Sequence, residues 1–167
     1  MSRAFVKEPD GDQADDDLPE RPQSEHPNYI TPVGLEALQS RAESLRARQR
    51  ELAAAGDELS AKTELKSVRA ELRWLDKRIQ SAIPVDTASA DRDSVRFGAT
   101  VRLLDAQGAS HAFTIVGEDE MDVARGRISW VSPLGRELLN RRAGDVVRWQ
   151  RPAGDLELEI ESFDYPQ

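Results

Sequence analysis

Residues 35–82 read LEALQSRAESLRARQRELAAAGDELSAKTELKSVRAELRWLDKRIQSA, and the spacing of their apolar side chains decides the fold of the chain's first half. Before Gly56-Asp57, Leu35, Leu38, Ala42, Leu45, Gln49 and Leu52 recur at steps of three and four; after it, Leu65, Val68, Leu72, Leu75, Ile79 and Ala82 do the same. Such alternation keeps an apolar seam on one side of a helix underwound to roughly 3.5 residues per turn, the coiled-coil pattern. Few residues separate the two ladders, so the chain doubles back and the helices pair antiparallel around a tight turn. Thr31-Pro32 opens the first helix. Thr31 caps free amides there, and Pro32 takes the first helical position, where its missing N–H costs nothing. Pro84, after Ile83, cannot continue the second helix.

Composition narrows the functional classes. The chain has 167 residues, 38% hydrophobic and 32% charged, which is ordinary for a protein that buries a modest core. No apolar run approaches the roughly 18 residues that cross a bilayer, and Met1-Ser2-Arg3-Ala4-Phe5 lacks the apolar stretch of a signal peptide. A cytoplasmic location is expected. The absence of cysteine excludes disulfides, thiolate metal sites and a Cys nucleophile. His26 and His111 stand far apart, and no Gly-rich phosphate loop, catalytic triad or zinc pattern occurs. The chain is not expected to be an enzyme in its own right.

The formal net charge of −8 is unevenly spread. Residues 1–33 carry 3 basic and 8 acidic side chains, residues 34–83 carry 10 and 8, and residues 84–167 carry 10 and 15. The hairpin is therefore the one mildly positive region. Within it Lys62, Lys66, Arg69 and Arg73, at steps of four and three, line up as a basic stripe beside the seam of the second helix. It reads either as a solvated face paired with the first helix or as a surface for an acidic partner. An acidic whole speaks against nonspecific duplex DNA binding, which draws on neutralising many phosphates.

Four regions follow. Residues 1–28, with the run Asp15-Asp16-Asp17, Pro19, Pro22, Pro27 and few apolar side chains, form a disordered acidic tail. Residues 29–84 form the coiled-coil hairpin, residues 85–93 a linker, and residues 94–167 a second domain. In that domain the period changes: short β-favouring runs at Val95–Leu103, Ala112–Val116, Ile128–Val131, Val146–Trp149 and Leu156–Ile160 are punctuated by Gly, Asp and Pro. They predict a small antiparallel sheet. Ser132-Pro133 opens a short helix whose Leu134, Leu138 and Leu139 cover one face of it. The class is α+β. Glu118-Asp119-Glu120 with Asp122 lacks EF-hand spacing and reads as a solvated acidic turn, Trp74 and Trp130 as packing residues, and Arg141-Arg142 as a surface pair.

Together these residues resemble a family. A Thr-Pro-x-Gly-Leu opening to the hairpin, Gly56-Asp57 at its tip, Phe97-Gly98-Ala99-Thr100-Val101, Ile115-Val116-Gly117-Glu118-Asp119-Glu120, Ile128-Ser129, Ser132-Pro133-Leu134-Gly135-Arg136 and Gly144-Asp145-Val146 look like the bacterial Gre transcript-cleavage factors, GreA and GreB, over about residues 29–165. The resemblance implies an FKBP-like C-terminal domain that docks on RNA polymerase at the rim of its secondary channel, with Ser132, Pro133 and Leu134 as candidate contacts. It implies a monomer whose hairpin projects down that channel, Lys62, Lys66, Arg69 and Arg73 facing the partner, with nucleic acid met only through the transcription complex. No cofactor of its own is implied, only a magnesium ion shared with the polymerase.

Magnesium wants converging oxygen ligands at about 2.1 Å, so the shared ion needs acids at the tip. The family places an Asp after the tip glycine and a Glu three residues later. This sequence has Asp57 in the first position and Ser60 in the second, with Glu58 adjacent and Glu64 a heptad away. Asp57 and Glu58 are thus the candidate tip carboxylates, and Asp57 the candidate metal ligand. A purely structural reading stands beside this one: Gly56 in a left-handed conformation ends the first helix and Asp57 caps the second. Each arm is also about one heptad, roughly 10 Å, shorter than the Gre pattern. Two alternatives follow, a regulator that occupies the channel without cleavage, and a Gre-fold protein with another partner such as a nucleoside diphosphate kinase.

Overall fold

The structure, a computed structural model, describes residues 18–56, 58–88 and 92–165. Elements follow the order β1 (Tyr29–Ile30), α1 (Pro32–Ala54), α2 (Leu59–Ser81), β2 (Ile83–Pro84), β3 (Thr100–Asp105), β4 (Ser110–Val116), β5 (Arg127–Ser129), α3 (Pro133–Leu138), β6 (Val146–Trp149) and β7 (Leu156–Asp164). They form two compact units. One holds the distal hairpin, residues 41–77, with residues 18–23; the other holds residues 24–40 together with everything from Arg78 onward.

In the distal unit the heptad ladders are the buried positions. Ala42 and Leu52 of α1 and Ala61, Val68, Leu72 and Leu75 of α2 are at most 7% exposed, and Leu45, Gln49 and Leu65 are half-buried. Ion pairs Arg41–Glu71 and Arg48–Glu64 cross between the helices. Both are centred on position 56, as an antiparallel pairing about that turn requires. Gly56 has φ +75 with open space around it, the left-handed residue that ends α1. The Glu58 carbonyl accepts the first helical bond of α2 from the Lys62 amide (3.0 Å). That puts the capping position on Glu58, one residue later than the sequence reading has it, and Asp57 itself lies outside the described residues.

The second unit is built on a five-stranded sheet in the order β5-β4-β3-β7-β6. Five strands and one short helix agree with the expected α+β domain, but the sheet is mixed. β3 pairs antiparallel with β4 and β7, β7 antiparallel with β6, and β5 lies parallel to β4. The reason is the connection: residues 117–126 make two 3₁₀ turns and carry the chain back before β5 begins, whereas a tight hairpin would have forced the antiparallel sense. Alternation along the strands places Val101, Leu103, Phe113, Ile115, Leu158 and Ile160 in one core with Leu134 and Leu138 of α3. Ser132 caps α3: its hydroxyl accepts from the Gly135 amide (3.1 Å) and donates to the Ser129 carbonyl (2.6 Å).

The same unit contains the root of the hairpin. β1 and β2 pair parallel, Tyr29 with Ile83 and Ile30 with Pro84, and Ile30 is fully buried. At the start of α1 the Thr31 hydroxyl accepts from the Gly34 amide (3.0 Å), the predicted cap. Glu120 reaches this cap from the acidic turn. Its carboxylate accepts from the Thr31 amide (3.0 Å), the Thr31 hydroxyl and the Gly117 amide (2.9 Å). At the end of α2, Arg78, 3% exposed, donates to Asp119 (2.6 Å) and to the Asn28 side-chain oxygen (2.5 Å). The Asn28 amide in turn donates to the Arg78 carbonyl (2.8 Å) and to Ser81 (3.1 Å). The turn read as solvated is therefore largely folded inward. Buried charges need partners, and the hairpin root supplies them.

Candidate functional site

At the tip, Leu59 opens α2 79% exposed, with Glu58 and Ser60 also exposed. The Ser60 hydroxyl donates to a Glu58 carboxylate oxygen (2.8 Å). Ser60, at the position where the Gre pattern has a second acid, thus engages the neighbouring one, and one lone pair of Glu58 is already used. Glu64 is committed elsewhere: Arg48 grips it through two nitrogens (2.8 and 2.9 Å) and holds its carboxyl below the usual range, while Glu64 raises the Arg48 guanidinium. Of the acids weighed for the tip, Glu58 is the one described there.

The basic stripe lies along α2, with Lys62 and Arg69 exposed and Lys66 and Arg73 half-buried. Beside it runs the N-terminal segment. Lys77 pairs with Glu20 (2.6 Å), the Arg21 guanidinium sits 4.5 Å from the centre of the Trp74 ring, and Arg73 donates to the Leu18 carbonyl (3.2 Å). The Lys77 contact lowers the Glu20 carboxyl below its ordinary value. Trp74 is thus a packing residue of a particular kind, the platform for a cation.

In the sheet domain, the three candidate contacts have different environments. Pro133 is exposed, Ser132 is half-buried by its capping role, and Leu134 is 4% exposed within the core. Leu134 packs the domain, which leaves Pro133 as the exposed member of the trio. Trp130 stands edge-on to Tyr29 (5.2 Å) and His26 (6.0 Å), beside the hairpin root. Sequence reasoning missed the Asn28–Arg78–Asp119 and Thr31–Glu120 contacts. No periodic signal marks them; the local hint is the pair of glycines, since a Cβ at Gly34 would lie 2.2 Å from the Glu120 carboxylate and one at Gly117 2.3 Å from the Tyr29 carbonyl.

The described residues thus comprise an antiparallel helical hairpin with an exposed tip and a basic flank, and a mixed-sheet domain. Residues 89–165 match the family model described as transcription elongation factor, GreA/GreB, C-terminal. The transcription elongation factor GreB of Neisseria meningitidis serogroup A is 45% identical over 95 residues, 56% of this chain and 58% of that protein. GreA of Maricaulis maris is 37% identical over 100 residues, 55% of this chain and 64% of that protein. The solved structure of Thermus aquaticus Gfh1 is 25% identical, with 81% of this chain and 96% of that one covered at a TM-score of 0.40. Residues 89–165 are thus similar to the C-terminal domain of the GreA/GreB transcription elongation factors. The chain spans less than two thirds of the length of the curated relatives it matches.

Proposed function

We propose that this protein is a Gre-type elongation factor that binds bacterial RNA polymerase through its C-terminal domain. It places the hairpin in the secondary channel, where it acts on elongating or backtracked complexes. The observation that carries the reading is the match of residues 89–165 to the GreA/GreB C-terminal domain, supported by the exposed tip and by the basic stripe, which suits an acidic partner. Pro133 contributes to docking, and Lys62, Lys66, Arg69 and Arg73 add contacts that weaken with salt, as exposed charges do. The factor works in the cytoplasm with its polymerase; among the described residues no helix is long and apolar enough to cross a membrane. The test is co-elution of the full chain with core polymerase at low salt. A complex that loosens as salt rises is expected, and failure to co-elute would discard the transcription reading.

The hydrogen bond from Ser60 to Glu58 favours a second, narrower reading, that the hairpin occupies the channel without promoting cleavage. A tip able to share magnesium offers converging carboxylates. Here the second position carries a hydroxyl turned to its neighbour, and Asp57 would have to act with Glu58 alone.

A further inference from the structure

Residues 24–27 belong to the sheet-domain unit and pass over it at Glu118 and Trp130. The Trp130 amide donates to the Val116 carbonyl (2.9 Å), which sets Trp130 beside the turn that carries Glu118. The Ser24 hydroxyl donates to Glu118 (3.0 Å) and accepts from the His26 amide (3.2 Å), and the His26 ring stands edge-on to Trp130 (6.0 Å). Two polar groups at this place are stranded. The Trp130 indole N–H and the second Glu118 carboxylate oxygen are buried with no hydrogen-bond partner among the described residues. Burying a donor or an acceptor unpaired costs free energy that water returns on exposure. Against that cost, the contacts that hold residues 24–27 down are an exposed hydrogen bond and a ring edge.

We propose that residues 24–27 are a lid that lifts from Trp130 and Glu118 when a partner docks beside Pro133, an inference that rests on the docking role proposed above for the sheet domain. Pro133 follows Trp130 by three residues, and the Ser132 amide closes the intervening turn on the Ser129 carbonyl (3.0 Å). Ring and exposed proline therefore leave neighbouring positions of one turn. With the lid open, the indole N–H joins them. A large aromatic ring with one donor on its edge suits a polypeptide surface that brings an apolar side chain and a carbonyl or carboxylate acceptor. Docking has to lift the lid first, so the apparent affinity is reduced by the fraction of molecules in which it is open.

The test follows the Trp130 indole N–H of the purified full chain by heteronuclear NMR, its signal assigned among those of the three tryptophans by its loss in Trp130→Phe. A lid that opens locally lets this proton exchange with water at a rate flat in sub-denaturing urea. The Ile115 amide, bonded to the Ala99 carbonyl in the core (2.9 Å), exchanges through unfolding and speeds up with urea. Ser24→Ala should raise the indole exchange rate about fivefold, the effect of one lost hydrogen bond, and leave Ile115 unchanged. It should tighten binding to core polymerase by about the same factor, and Trp130→Phe, which keeps a packed ring without the N–H, should weaken it. Indole exchange that tracks Ile115, a Ser24→Ala rate equal to wild type, polymerase binding by Ser24→Ala that is equal or weaker, or full affinity in Trp130→Phe would overturn the proposal. Failure of wild type to co-elute with polymerase would instead overturn the docking reading and with it the lid's role there, while exchange still decides whether the lid opens.

Discussion

Glu120 shows how a single side chain can tie the hairpin root to the sheet domain. Its carboxylate, 8% exposed, is enclosed by the Thr31 cap and the Gly117 amide, and both neighbouring glycines leave room for it only because they lack a Cβ. Removing the acceptor would strand the Thr31 and Gly117 N–H groups, at about 1–3 kcal/mol for each buried donor left unpaired. Glu120→Ala is therefore expected to destabilise the protein by about 2 kcal/mol or more, read as a lower urea midpoint. Glu120→Gln, which keeps an acceptor oxygen, should lose less. An unchanged midpoint in the alanine variant would show that the carboxylate does not hold the root. The sequence gives little warning of this role, because an acidic Gly-Glu-Asp-Glu run looks solvated until a partner is known, and the partner is 89 residues away.

At the scale of the element, the β3–β4 turn depends on Asp105. Its carboxylate accepts from the amides of Ala109 (2.8 Å) and Gln107 (3.0 Å) and pairs with His111 (3.2 Å), while Gly108 takes φ +79. The Ala109 amide, then His111, holds the Asp105 carboxyl below its ordinary value. A depressed folded-state value means that the ionised form stabilises the fold above the unfolded pKa of about 3.9, and that this contribution is lost as pH falls through the lower folded value. Wild type and Asp105→Ala should then differ in urea midpoint at pH 6, with the gap closing below about pH 4. A gap independent of pH would assign the turn's stability to packing. This turn was legible as Gln107-Gly108 between two β runs, and so were the strands, because turn chemistry and period-two burial are local. The parallel sense of β5 was not legible, since it depends on where residues 117–126 pack.

For the whole molecule, tip chemistry and hairpin length bear on the role proposed for it at the polymerase. Ser60 supplies no second acid, and α1 and α2, 23 residues each, extend about 35 Å at 1.5 Å per residue. Little or no stimulation of transcript cleavage is expected in backtracked complexes to which the protein binds. Ser60→Glu should give at most a partial gain, because it restores one carboxylate and not the missing length. Robust magnesium-dependent cleavage by wild type, abolished in Asp57→Ala with binding intact, would remove the channel-occupant reading. Heptad spacing by itself determined the hairpin, its turn at Gly56 and its seam, since burial in a two-helix pairing repeats with the helix. Ordered motifs and short β-favouring runs likewise determined the sheet domain. Only the tertiary structure decided that the acidic turn after β4 is an internal anchor, that Leu134 packs inward while Pro133 stays outside, and that residues 18–21 lie along α2. Each of these depends on contacts between distant segments, where one buried charge or one cation over an aromatic ring selects its partner by position in space and leaves no periodic trace in the chain.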